Sequence, residues 1–133
     1  MKRLLYMTLV CLLTTAALAD DCRLQGGWKS DAARTLSGID STKMTDASAL
    51  NAISHGLFGH MTHEWTCTGF REWFDTQNES ITVAYEILSD SDSATTLKVL
   101  TEPEYVLSLA WEGECYKLPV AGHDFYEYFC PVD

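Results

Sequence analysis

Residues 81–120 read ITVAYEILSDSDSATTLKVLTEPEYVLSLAWEGECYKLPV. From 81 to 87, the bulky Ile81, Val83, Tyr85 and Ile87 alternate with smaller or polar residues, which is the pattern of a half-buried strand. An Asp/Ser turn follows at 89–93. Residues 95–101 form the next strand, with Leu97 and Val99 on one face. Glu102-Pro103-Glu104 is a turn, 105–111 a strand, and Glu112-Gly113-Glu114 another turn. Residues 115–120 and 125–132 then make a final pair joined through Gly122. Short strands separated by turn signals at nearly even spacing specify an antiparallel meander.

Upstream the pattern differs. Residues 61–74 are dense in aromatics and carry Thr62, Thr66 and Thr68, favouring strand, with a break at Gly69. Residues 75–79 are a polar turn. Thr45-Asp46 opens a helix in which Ala47, Leu50, Ile53 and Leu57 recur at helical spacing, ended by Gly56 and Gly59. About ten helical residues are expected there. Gly26-Gly27 lead into a strand around Trp28. The chain is therefore mainly β, a barrel or half-barrel, with one short helix between the first and second strands.

The amino terminus has the layout of a secretory signal. Lys2 and Arg3 precede an apolar run at 4–18, and Ala17-Leu18-Ala19 offers the small-residue exit. The run is short of the roughly 20 apolar residues a membrane span needs. Cleavage is expected after Ala19, leaving a single domain over 20–133, and Ala19-Asp20-Asp21 before Cys22 argues against a lipidated cysteine. The mature part carries seven basic and nineteen acidic residues, a net charge of 7 − 19 = −12. Such a surface repels phosphate backbones and anionic headgroups, so neither nucleic acid nor stable membrane insertion is expected. Solubility accounts for the acidity, and a cationic partner is the sharper alternative.

Cys11 falls in the signal, and Cys22, Cys67, Cys115 and Cys130 remain. An even number in an oxidising compartment implies two disulfides. If Gly122-His123 is a two-residue hairpin turn, Cys115 and Cys130 face each other, leaving Cys22 to Cys67. The competing arrangement clasps Cys22 to Cys130 and Cys67 to Cys115.

In layout the chain resembles a lipocalin-like, calycin-type domain of the small exported bacterial kind. Gly26-Gly27-Trp28-Lys29-Ser30 opens the first strand, a helix lies near the start, and a meander returns to the first strand. Cys115-Tyr116-Lys117-Leu118-Pro119-Val120 and Glu127-Tyr128-Phe129 resemble the closing strands of that family. The resemblance implies that Trp28 closes one barrel end by packing and that an apolar pocket holds a small ligand. Two features depart from it. The chain is short for a full eight-stranded barrel, and a lipocalin places its main helix near the end. A fatty-acid-binding-like barrel with an early helix fits equally well.

The candidate ligand contacts are Trp65, Phe70, Arg71, Trp73 and Trp111, with Phe74 beside them. Aromatic rings either line such a pocket or are simply the core. Arg71 either orients an acidic ligand or forms a surface ion pair. His55, His60 and His63 lie close in sequence. His60 and His63 share no face on a strand, the His-Glu-x-x-His spacing is absent, and they read as surface or rim histidines, so no metal is expected. No nucleophile motif occurs, and the pairs Glu64/Glu72 and Glu112/Glu114 are unremarkable among nineteen acids, so no catalytic residue or cofactor is assigned. The expected function is an exported small-ligand-binding or scaffold protein for a small apolar ligand. The alternative is an interaction module, an inhibitor or envelope-associated partner, using its acidic face.

Overall fold

The computed structural model describes residues 22–40, 47–54 and 56–133. The expected signal at 1–19, the helix-opening pair Thr45-Asp46 and His55 lie outside them.

Eight strands run in chain order: β1 (Gly26–Ser30), β2 (Met61–Trp65), β3 (Gly69–Phe74), β4 (Val83–Asp90), β5 (Ala94–Val99), β6 (Tyr105–Glu112), β7 (Cys115–Pro119) and β8 (Tyr126–Pro131). Each pairs antiparallel with its neighbour, and β8 returns to β1, closing the barrel. The full eight-stranded barrel fits this short chain because its strands are only five to eight residues long and the β2–β3, β4–β5 and β6–β7 turns take only two or three residues each. In the β6–β7 turn, Gly113 takes φ +61° while no described non-glycine residue has positive φ, which makes it a type II′ turn with glycine at the first central position.

Among the described residues, two short helices lie between β1 and β2. The helix expected from periodicity is α2 (Ala47–Ser54), and a shorter one, α1 (Ala32–Ser37), precedes it. Six residues give too few apolar repeats to register as periodicity. The signal for α1 is its cap: the Asp31 side chain accepts from the Arg34 N–H. Tertiary bonds hold α1 on β8. The Asp31 N–H donates to the Tyr128 carbonyl (2.8 Å), and the Tyr128 N–H donates to Oγ1 of the fully buried Thr35 (3.0 Å).

The aromatic stretch expected as strand with a break at Gly69 is a hairpin. Trp65 pairs with Phe70, Cys67-Thr68 form the tip, and Thr66 Oγ1 accepts from the Gly69 N–H. Inward residues from every strand fill the barrel, with Trp65, Tyr85, Leu97, Val99, Leu109, Tyr116 and Phe129 almost wholly buried.

Strand directions give the barrel two distinct ends. One is pinned. There Trp28 packs edge-on against Trp111 (5.6 Å) and donates from Nε1 to the Leu24 carbonyl. The Arg23 guanidinium lies 3.8 Å over the Trp111 ring and reaches the carbonyls of Ser91 and Asp92. Both disulfides, Cys22–Cys67 and Cys115–Cys130, sit at this end. The loop between β7 and β8 is longer than two residues, since the hairpin bond that closes it runs from the Val120 N–H to the Phe125 carbonyl (3.1 Å). It keeps the same register, however, with Tyr116 opposite Phe129, and the two cysteines meet next to that pair.

Candidate functional site

At the opposite end the wall is incomplete. β3 and β4 share only two ladder pairs, Gly69 with Ala84 and Phe70 with Val83. Gly69 permits this close approach, since a Cβ there would lie 3.1 Å from the Thr82 methyl. Beyond Phe70 the strands part. β3 continues to Phe74 on β2 alone, and the chain loops away through 75–82. Between them lies a cavity of about 780 Å³, lined chiefly by Met61, Phe70, Trp73, Phe74, Ile81, Val83 and Tyr105, with Glu72, Glu79 and Arg71 as its charged members. Eight-stranded barrels have room for one small ligand, and this volume lies within the range of small-molecule sites.

The alternation of β3 sorts its side chains. Phe70, Glu72 and Phe74 share the face toward the interior, while Arg71 and Trp73 take the other. Phe70 stacks on Trp65 at 4.4 Å, so Trp65 is the floor beneath the cavity wall and not part of its surface. Arg71 is engaged outside the barrel, 2.9 Å from Glu64 and 4.9 Å over the Trp73 ring. Trp111 stands apart, in the pinned end, donating from Nε1 to Thr95 Oγ1. Of the five candidate contacts, Phe70 is on the inward wall of the cavity, and Arg71 and Trp73 border it from the outer face of β3. Trp65 backs them and Trp111 does not take part.

Behind Glu72 runs a polar network that crosses the barrel. His63 is not the surface histidine its sequence context implies. It is 3 % exposed, stacked at 4.0 Å on Phe129, because its strand position puts it on the same inward face as Trp65. Its Nδ1 lies 2.7 Å from the Tyr116 hydroxyl, and its Nε2 lies 3.4 Å from the Glu72 carboxylate. With the Nε2 proton directed to Glu72, Nδ1 accepts from Tyr116, whose oxygen accepts in turn from Trp65 Nε1 at 3.0 Å. Nearby, the Ser30 hydroxyl donates to Glu127 at 2.6 Å and accepts from the Gly59 N–H.

The two inward carboxyls differ in their surroundings. The hydrogen bond from His63 holds Glu72 below the ordinary carboxylate range. Burial pushes Glu127 up, against the opposing hydrogen bond from Ser30. Burial also raises the Tyr116 and Tyr105 hydroxyls, and for Tyr105 the charge of Glu72 adds to it.

His60, three residues before His63, is exposed and faces Asp75 at 3.4 Å. No group of three or more metal-ligating side chains occurs among the described residues. Glu72 and Tyr105 line the cavity but were not among the candidate contacts, although period-two alternation from Phe70 reaches Glu72.

The chain matches no family model, no curated protein and no solved structure.

Proposed function

We propose that this protein is an exported binding protein that carries a small ligand, largely apolar in body, in the cavity between β3 and the start of β4. The observation that carries this is the cavity itself. An otherwise filled, closed barrel leaves about 780 Å³ open at one end, walled by Phe70, Trp73, Phe74 and Tyr105. Phe74, Ile81 and Tyr105 are 40, 80 and 49 % exposed, a cost in hydration that an apolar occupant would relieve. The lipocalin-like reading agrees with the closed antiparallel barrel and with Trp28 packed across one end. Export agrees with two disulfides, and no helix among the described residues is long and apolar enough to cross a membrane. Secreted protein should begin at Asp20, which amino-terminal sequencing would check.

Titration with N-phenyl-1-naphthylamine, an uncharged fluorescent probe, tests the ligand site. Saturable one-to-one binding that falls at least about tenfold in Ser80→Trp, a substitution that fills the cavity wall, is expected. Binding that ignores Ser80→Trp, or none at all in either protein, would refute the assignment.

A further inference from the structure

We propose that the cavity selects a small organic cation, an ammonium group on an apolar or aromatic body, with Glu72 as its counter-ion. The proposal rests on the ligand-binding reading above and adds the ligand's charge.

Three features of the lining converge on it. The first is the placement of Glu72. It projects on the same strand face as Phe70 and Phe74, so its carboxylate stands inside an aromatic wall and not on the outer surface. Its side chain is still 58 % exposed, which leaves it accessible from the cavity. The second is the lack of an accessible cation in the lining. Arg71 is its one basic residue, and that guanidinium lies outside, against Glu64 and over Trp73. The third is the set of ring faces. Phe70, Phe74 and Tyr105 supply the electron-rich surfaces that attract ammonium groups within about 6 Å.

The alternatives fare worse on charge alone. An anionic ligand such as a fatty acid would bring its carboxylate toward Glu72 and Glu79, with the Arg71 guanidinium turned to Glu64. A neutral apolar ligand would strip water from the Glu72 carboxylate without replacing it. An ammonium group replaces that water with an ion pair and adds contacts to the rings. At longer range, the chain's net charge of −10 attracts cations and repels anions.

Three probes of matched shape separate these cases: 2-(2-naphthyl)ethylamine, 2-(2-naphthyl)ethanol and 3-(2-naphthyl)propanoate, each titrated calorimetrically at neutral pH in low salt. The amine should bind about tenfold or more tighter than the alcohol, and the propanoate weakest. Glu72→Gln should reduce amine binding to the level of the alcohol and should not weaken the alcohol, since the neutral side chain is cheaper to dehydrate. This substitution sits at an accessible position, and circular dichroism would confirm that the barrel is retained. Ser80→Trp should weaken the amine and alcohol together. Alcohol or propanoate binding as tight as the amine, or amine affinity indifferent to Glu72→Gln, would overturn the cation assignment and leave the cavity standing. No binding by any of the three, or amine binding that survives Ser80→Trp, would overturn both.

Discussion

The Tyr116 hydroxyl and His63 Nδ1 meet at 2.7 Å in the centre of the barrel, joining β7 to β2 across the interior. The same oxygen accepts from Trp65 Nε1 at 3.0 Å, so one hydroxyl satisfies two buried rings. No buried side-chain nitrogen or oxygen among the described residues lacks a partner. A polar core of this kind specifies one arrangement, because every alternative packing orphans a group.

Tyr116→Phe keeps the ring and removes only the oxygen. Trp65 Nε1 and His63 Nδ1 both lose their partner in a site closed to water. A buried group left unsatisfied costs about 1–3 kcal/mol, so a total loss of roughly 2–4 kcal/mol is expected in urea unfolding. A change near zero would mean that water reaches the network.

Thr35 tests how α1 is held. Its hydroxyl oxygen accepts the Tyr128 N–H at 3.0 Å, just past the point where the β1–β8 ladder ends at Ser30 and Phe129. Thr35→Val conserves volume and leaves that N–H orphaned. A destabilisation of about 1–2 kcal/mol is expected, with faster amide exchange at Tyr128 as its local signature.

The meander was legible because strands β4 to β8 are each bounded by glycine, proline or Asp/Ser turns, and their apolar residues alternate. Barrel closure was not, since the β1–β8 pairing joins the two ends of the domain and leaves no local mark. Helix α1 escaped because tertiary bonds to Tyr128 sustain six residues that have no apolar stripe of their own. At the site, the aromatic density of β2 and β3 pointed to the strand that borders the cavity. Whether Trp73 or Glu72 faced inward depended on where the hairpin turned, and that was fixed by the Cys67-Thr68 tip. Trp111 could be assigned to neither end without the register that sets it beside Trp28.

The two disulfides should contribute unequally. Cys22–Cys67 closes a 45-residue separation and Cys115–Cys130 one of 15. Chain-entropy reasoning gives about 4 kcal/mol for the longer loop and about 3 for the shorter. The double variant Cys22→Ala/Cys67→Ala should therefore unfold at lower urea than Cys115→Ala/Cys130→Ala. Alkylation of the unreduced domain over 20–133 should label no cysteine.

Glu127 and Glu72 should give opposite pH signatures. Burial raises the Glu127 value in the fold, with Ser30 and His63 acting against that rise and the Glu72 charge adding to it. Below the unfolded value of about 4.3, Glu127 is protonated in both states and places no charge in the interior. As pH rises through its folded value the carboxyl must ionise while partly buried, and stability is lost. Glu127→Gln retains an oxygen to accept from Ser30 and carries no charge, so it should raise the melting midpoint by a few degrees at neutral pH and by nothing at pH about 4. Glu72 runs the other way. Its lowered value, due first to the His63 hydrogen bond, contributes stability above the unfolded value that is lost as pH falls through the folded one. Glu72→Gln should therefore be destabilising at neutral pH and indistinguishable from the parent in acid. Melting curves of the three proteins from acid to neutral pH would show the two differences with opposite sign. Parallel curves would mean that burial does not raise Glu127 or that the His63 hydrogen bond does not lower Glu72.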